Sequence, residues 1–189
     1  MKNTIKDPRY PKLVLIGPDC GGKSTLVSGL REHYQIAPRS NRKVHNAIEM
    51  LHGVLQFAKD VIPHYGFILD QWQYPVDIVY EHCMHQRLSP VANIDTEIAA
   101  WCRKHHVLFI HITADDATLT ERFNHRGDEL WSLEQILAVA RCYRRYLRNT
   151  ATFPYITIDT SGRTPEEVLE EAINRIDTYY KDVIKKERM

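Results

Sequence analysis

The sequence predicts an α/β protein, a parallel sheet with helices on both faces. Three observations point there. Short apolar runs alternate with segments of helical period along the whole chain. The runs are near-continuously apolar rather than alternating, as strands buried on both faces are. The first run leads directly into a glycine-rich loop and then a helical pattern, the β-loop-α junction of such sheets.

The elements follow in order. Lys12–Gly17 is apolar and stopped by Gly17-Pro18, so it reads as a buried strand. A helix is predicted from Gly22 to about His33, with Leu26, Val27 and Leu30 on one face. Tyr34–Ala37 reads as a brief extended piece ending at Pro38. Asn46–Val61 carries Ile48, Leu51, Leu55 and Phe57 at helical spacing. Gly66–Asp70 is a second clear strand, followed by helices over about Val76–Gln86 and Val91–Lys104. Val107–Thr113 is the strongest strand by composition. Ala117–Phe123 reads as a short helix interrupted by the polar stretch Asn124–Asp128, and Leu130–Leu147 as a long amphipathic one. Pro154–Asp159 is the last strand. In the final helix Thr164 suits the N-cap, Pro165 the first position and Glu167 a capping box. With the Tyr34–Ala37 piece the sheet is expected to have five strands.

Composition narrows the class. Of 189 residues 43% are hydrophobic and 26% charged, enough apolar residues for a sizeable core. Lys+Arg 25 against Asp+Glu 24 leaves a formal net charge of +1, which argues against a polyanion-coating protein. Cys20, Cys83, Cys102 and Cys142 are far apart and form no CxxC pair, as thiols of a reducing compartment do. The opening residues lack the apolar core of a signal peptide, and no run approaches the roughly 20 residues of a membrane span. One cytoplasmic domain over residues 1–189 is the expectation.

The informative motif is Gly17-Pro18-Asp19-Cys20-Gly21-Gly22-Lys23-Ser24, a GxxxxGK[ST] phosphate loop. Its fixed positions recur by chance in about one chain of this size in a hundred. Its place between a buried strand and a helix is the context the chemistry requires. Glycines let successive N–H groups converge on a phosphate, and the helix N-terminus adds partial positive charge. Gly17, Gly21, Gly22, Lys23, Ser24 and Thr25 are thus candidate ATP-binding residues. Lys23 suits the β- and γ-phosphates and Ser24 suits Mg²⁺. No NKxD guanine signature accompanies the loop, and the chain is short for a motor ATPase. A small kinase remains, needing five strands and a lid.

In these residues the chain resembles the thymidylate kinases and their phage-type relatives, over roughly Lys12–Ile176. The resemblance implies a P-loop kinase fold with a lid at about 122–130. It implies that Asp19 contacts the acceptor's deoxyribose, and that Asp70, at a strand end, holds a Mg²⁺-bound water or orients the acceptor. The run Trp72–Tyr80 looks like the phage-type members, with Trp72 and Tyr74 as base-pocket candidates. Lid arginines imply Arg122 on adenine and Arg126 on the transferring phosphoryl, because Cys20 stands where some relatives carry a loop arginine. Asp159–Arg163 matches where relatives hold the adenine edge. Gln71 departs from the family, whose arginine here grips the acceptor's phosphate; Arg39 is the candidate replacement. Asp19, Lys23, Asp70 and Arg126 are the catalytic candidates, and Ser24 and Asp70 the metal candidates.

The expected reaction is transfer of the ATP γ-phosphoryl to a deoxynucleoside monophosphate, a pyrimidine such as dTMP or modified dUMP, with Mg²⁺. Two alternatives stay open. One is a kinase of a hydroxyl, on a deoxynucleoside or a hydroxymethylated base within DNA, with Asp70 or Asp19 as base. The other is a non-catalytic nucleotide-binding regulator. A homodimer is expected from the resemblance alone, and no membrane partner is expected. His82, His85 and Glu81 lack a further nearby ligand for a metal. The basic run Arg141–Arg148 reads as arginines flanking a core-facing Tyr143 and Leu147.

Overall fold

A computed structural model describes residues 7, 9–37, 47–86, 89–126 and 131–189. Four parallel strands form the sheet among these residues: β1 (Lys12–Ile16), β2 (Phe67–Asp70), β3 (Leu108–Thr113) and β4 (Tyr155–Asp159), in the order β2-β1-β3-β4. Register pairs Leu15 with Asp70, Ile16 with His111 and Thr113 with Asp159. All strand C-termini therefore lie along one edge, where ligands bind in open α/β sheets.

The expected five strands reduce to four because Tyr34–Ala37 is a helix end. Helix α1 (Lys23–Tyr34) closes on Gln35 at φ 55°. The Gln35 N–H donates to the Glu32 carbonyl at 3.3 Å and the Ile36 N–H to the Arg31 carbonyl at 3.0 Å. This is a Schellman closure, and Ile36 packs back on the core as its apolar contact.

Successive β1 residues feed opposite cores, as the pleat dictates. Val14 and Ile16 pack with helices α2 (Ala47–Asp60), α3 (Gln73–His85), α4 (Asp95–Lys104) and α6 (Leu133–Asn149). Leu13 and Leu15 pack with α1 and α7 (Pro165–Glu187). A smaller cluster joins Cys20 and Ala114 to Leu119 of α5 (Asp116–Arg126) and to Ile136 and Ala140 of α6. No helix among the described residues is long and apolar enough to cross a membrane.

Other boundaries shift for local reasons. The helix expected from Val91 is a 3-10 turn over Pro90–Ile94 before α4 begins. Helix α5 runs to Arg126 instead of stopping at Phe123, so Asn124, His125 and Arg126 extend its exposed face. The residues from Gly127 to Leu130, the far half of the expected lid, lie outside the described residues. Ser132 caps α6 in a capping box with Gln135. The box expected at α7 is present, with the Glu167 N–H donating to Thr164 Oγ1 at 3.3 Å and the Thr164 N–H to Glu167 Oε2 at 2.9 Å.

Candidate active site

The phosphate loop leaves β1 at Gly17, whose φ is 142° and whose backbone passes close to β3. A Cβ here would stand 2.2 Å from the Ile112 carbonyl oxygen, so only glycine fits. Gly22, at φ 96°, is the N-cap of α1. Unlike α6 and α7, α1 has no side-chain cap and no acidic residue in its first turn. Its N–H groups and the positive end of its dipole thus face the loop with no side-chain cap upon them.

A polar cavity of about 250 Å³ sits in front of this terminus, lined by Asp19, Gly22, Lys23, Ser24, Thr25, Asp70, Gln71 and Arg126. Lys23 is only 6% exposed. Its ammonium donates to the carbonyls of Gly17 at 3.0 Å and Pro18 at 2.7 Å and lies 3.4 Å from Asp19 Oδ1. Burial lowers its pKa, while Asp19 and Asp70 oppose that shift. Ser24 Oγ donates to Asp70 Oδ2 at 2.7 Å. The β1–β2 register brings this pair together: Asp70 stands beside Leu15, level with the start of the loop. A hydroxyl and a carboxylate are the hard oxygen donors that Mg²⁺ takes, so the two residues fit that ion. Gln71, at φ 64°, anchors its N–H on the Leu15 carbonyl at 3.1 Å.

A second cavity of about 410 Å³ adjoins the first through Cys20, Gly22, Thr25 and Arg126, and is walled by Leu26, Arg122, Thr160, Arg163 and Val168. It is the more apolar of the two, the character a nucleobase requires. Arg126 borders both cavities. Arg122 is engaged with the protein itself. Its Nη1 donates to Thr160 Oγ1 at 2.9 Å and to the carbonyls of Gly21 at 3.3 Å and Cys20 at 3.4 Å, and its Nη2 to the Thr160 carbonyl at 3.0 Å.

The fold thus gathers Asp19, Lys23, Ser24, Thr25, Asp70 and Arg126 around one cavity and puts Arg122 at its neighbour. It does not bring Trp72 and Tyr74 to either. Trp72 is 3% exposed and packs on Phe57 and Tyr74 at ring separations of 5.2 and 5.5 Å. Tyr74 is fully buried beside Phe109 and Phe153, its hydroxyl on the Asp95 carbonyl. Arg39 lies outside the described residues.

Two residues at the site fall in segments that the sequence reading singles out, Trp72–Tyr80 and Asp159–Arg163, but carry no individual role there. Tyr80, on α3, donates its hydroxyl to Asp19 Oδ2 at 3.1 Å. Thr160, 2% exposed after β4, reaches the Gly21 carbonyl at 3.1 Å and the Thr113 carbonyl at 3.2 Å. In the core, His111 and the fully buried Tyr143 stand with ring centroids 5.8 Å apart. Burial pushes the His111 pKa down to about 4.

No family model and no curated protein matches the sequence. Solved structures do match in fold. The YorR protein of Bacillus subtilis, in complex with phosphorylated GDP, superposes with a TM-score of 0.71 at 19% identity over 89% of this chain and 97% of that one. Deoxyadenosine kinase from M. mycoides with bound dATP gives 0.64 at 16% identity over 87% and 98%. Thymidylate kinase from Candida albicans gives 0.53 at 13% identity over 88% and 90%.

Proposed function

We propose that the protein transfers the γ-phosphoryl group of ATP to a deoxynucleoside monophosphate. The observation that carries this reading is the Ser24–Asp70 pair, 2.7 Å apart, set beside buried Lys23 at the uncapped N-terminus of α1. A donor's phosphates need those three things in one place: N–H groups, a fixed cation and oxygen donors for a divalent ion. The likeness in fold to a deoxyadenosine kinase and a thymidylate kinase supports the same class.

In this reading the donor's base occupies the 410 Å³ cavity and its phosphates the 250 Å³ one. Mg²⁺, when bound, neutralises donor phosphate charge next to Ser24 and Asp70. The bond from the γ-phosphorus to the β–γ bridging oxygen breaks as one forms to an acceptor oxygen. Charge shifts onto the leaving oxygen, and Lys23 and Arg126 stabilise it. Asp19, held between Lys23 and Tyr80, presents a carboxylate to the acceptor sugar. A monophosphate oxygen is already ionised, so no strong base is required. A pyrimidine acceptor, dTMP or a modified dUMP, is the finer reading and comes from the resemblance.

Gln71 favours a second reading. It lines the polar cavity as a neutral side chain, together with the carboxylates of Asp19 and Asp70. A hydroxyl acceptor brings no second dianion but must lose a proton, which Asp70 or Asp19 accepts. Labelled ATP with a panel of deoxynucleosides, monophosphates and hydroxymethylated duplex DNA separates the readings. Label on monophosphates, lost in Lys23→Ala, is expected. Label on nucleosides or duplex DNA alone replaces it with the hydroxyl reading. ATP binding without any transfer leaves a nucleotide-binding regulator.

A further inference from the structure

Arg122 and Thr160 form a closed set of hydrogen bonds behind the phosphate loop. Thr160 Oγ1 accepts from Arg122 Nη1 at 2.9 Å and shares its one proton between the Gly21 carbonyl at 3.1 Å and the Thr113 carbonyl at 3.2 Å, while Nη1 also reaches the Gly21 carbonyl at 3.3 Å and the Cys20 carbonyl at 3.4 Å. Arg122 Nη2 fixes the Thr160 carbonyl at 3.0 Å, and the Thr160 N–H is itself bonded to the Thr113 carbonyl at 2.9 Å at the end of β3. The chain of contacts thus runs from the sheet, through Thr160 and Arg122, to the back of one peptide group.

That peptide joins Gly21 to Gly22. In a trans peptide the C=O and N–H point to opposite sides. Two donors within reach of the Gly21 oxygen from behind therefore favour one direction of the Gly22 N–H in front, where Gly22 borders both cavities. Gly22 is at φ 96° and Cys20, two residues before it, at φ 61°, so the loop runs outside the regular ladders that orient peptides in helices and strands. The guanidinium is charged, which strengthens its bonds and polarises the peptide, making the opposite N–H a better donor to an anion.

We propose that Arg122 and Thr160 are positioning residues of the nucleotide site, acting through the Gly21–Gly22 peptide to aim its N–H at a donor phosphate. The inference rests on the phosphate-loop kinase reading. Thr160 carries the test, because Thr160→Val keeps shape and removes only the hydroxyl. Titration calorimetry with ATP and with inorganic tripolyphosphate is run on the wild type, Thr160→Val, Thr160→Ser, Arg122→Gln and the double variant, with Tm recorded for each. Thr160→Val is expected to weaken both ligands about five- to tenfold, and Thr160→Ser to restore them. The double variant is expected to lose no more than Arg122→Gln alone, since the two residues act as one unit. Unchanged tripolyphosphate affinity in Thr160→Val overturns the proposal, as does a wild type that binds ATP but not tripolyphosphate. So does additive loss in the double variant. If Arg122→Gln fails to fold, the Val and Ser variants at Thr160 decide alone. A wild type that binds neither ligand sinks the kinase reading itself, an outcome distinct from failure of the clamp.

Discussion

Gly17→Ala should both unfold and disarm the protein. The added Cβ would stand 2.2 Å from the Ile112 carbonyl oxygen, more than about 1 Å inside van der Waals contact. The clashing atom is backbone, on a strand paired with β1 from Leu13 to Ile16, so no rotamer can relieve it. Overpacking of this kind costs about 1–3 kcal/mol, and an L-residue at φ 142° adds about 1 kcal/mol or more. Taking about 3 kcal/mol in total, Tm falls by roughly 6–12 °C for a chain of this size. Relief comes only by prising the loop from β3, which carries Lys23 and Ser24 with it, so ATP affinity falls too. The control is Gly53→Ala, inside α2, where a Cβ meets nothing within 4 Å. That change gains about 0.5–1 kcal/mol from helix propensity and raises Tm. Calorimetric melting and ATP titration of the two variants measure the contrast. A Gly17→Ala protein with wild-type Tm and ATP affinity refutes the close approach of loop and β3.

Three further outcomes follow from the same geometry. Tyr80→Phe removes the bond to Asp19 Oδ2; because that side chain is 33% exposed, the loss is held to about 1 kcal/mol, a roughly fivefold rise in acceptor KM with ATP KM unchanged in steady-state kinetics. Ser24→Ala deletes one oxygen donor beside Asp70, and the rate of transfer should fall about 100-fold with the melting curve preserved. His111, whose pKa is pushed down to about 4 by burial and secondarily by Arg144, binds its proton more readily unfolded, at an ordinary 6.5. Its contribution therefore favours the folded state fully above pH 6.5, declines as pH falls toward 4 and levels below that, for a loss of about 3 kcal/mol. In denaturant melts as a function of pH, His111→Gln should flatten this limb; an unchanged limb removes His111 as its source.

The grouping of side chains at the candidate site was largely legible because most of its parts are local. The loop, Lys23 and Ser24 occupy one motif, and Asp70 needed only the inference that a strand end abuts the loop, which the pairing of Leu15 with Asp70 supplies. The Thr164 capping box was legible for the same reason. Trp72 and Tyr74 were not, since an aromatic residue after a strand suits a pocket wall and a core equally, and only the packing on Phe57, Phe109 and Phe153 separates them. Tyr34–Ala37 resembled a strand because Gln35 gives no sequence sign of the positive φ that ends α1. The bonds Arg122 makes to the loop and to Thr160 were not legible, because those partners lie 38 to 102 residues away, beyond any spacing rule.

Tyr180 of α7 bears on how the chain assembles. Buried beneath the sheet, its hydroxyl donates to the Lys12 carbonyl at 2.7 Å, accepts the Lys12 N–H at 2.9 Å, and reaches the His106 carbonyl at 3.0 Å. One phenol thus pins the start of the very strand that ends in the phosphate loop, across a sequence separation of 168 residues. Contacts of such separation are costly to form, because the loop they close is long. β1 is synthesised before α7, and the bonds from Tyr180 to its foot form only once α7 docks. During synthesis, nucleotide-binding competence should therefore emerge late and all at once, rather than when the loop itself has been made.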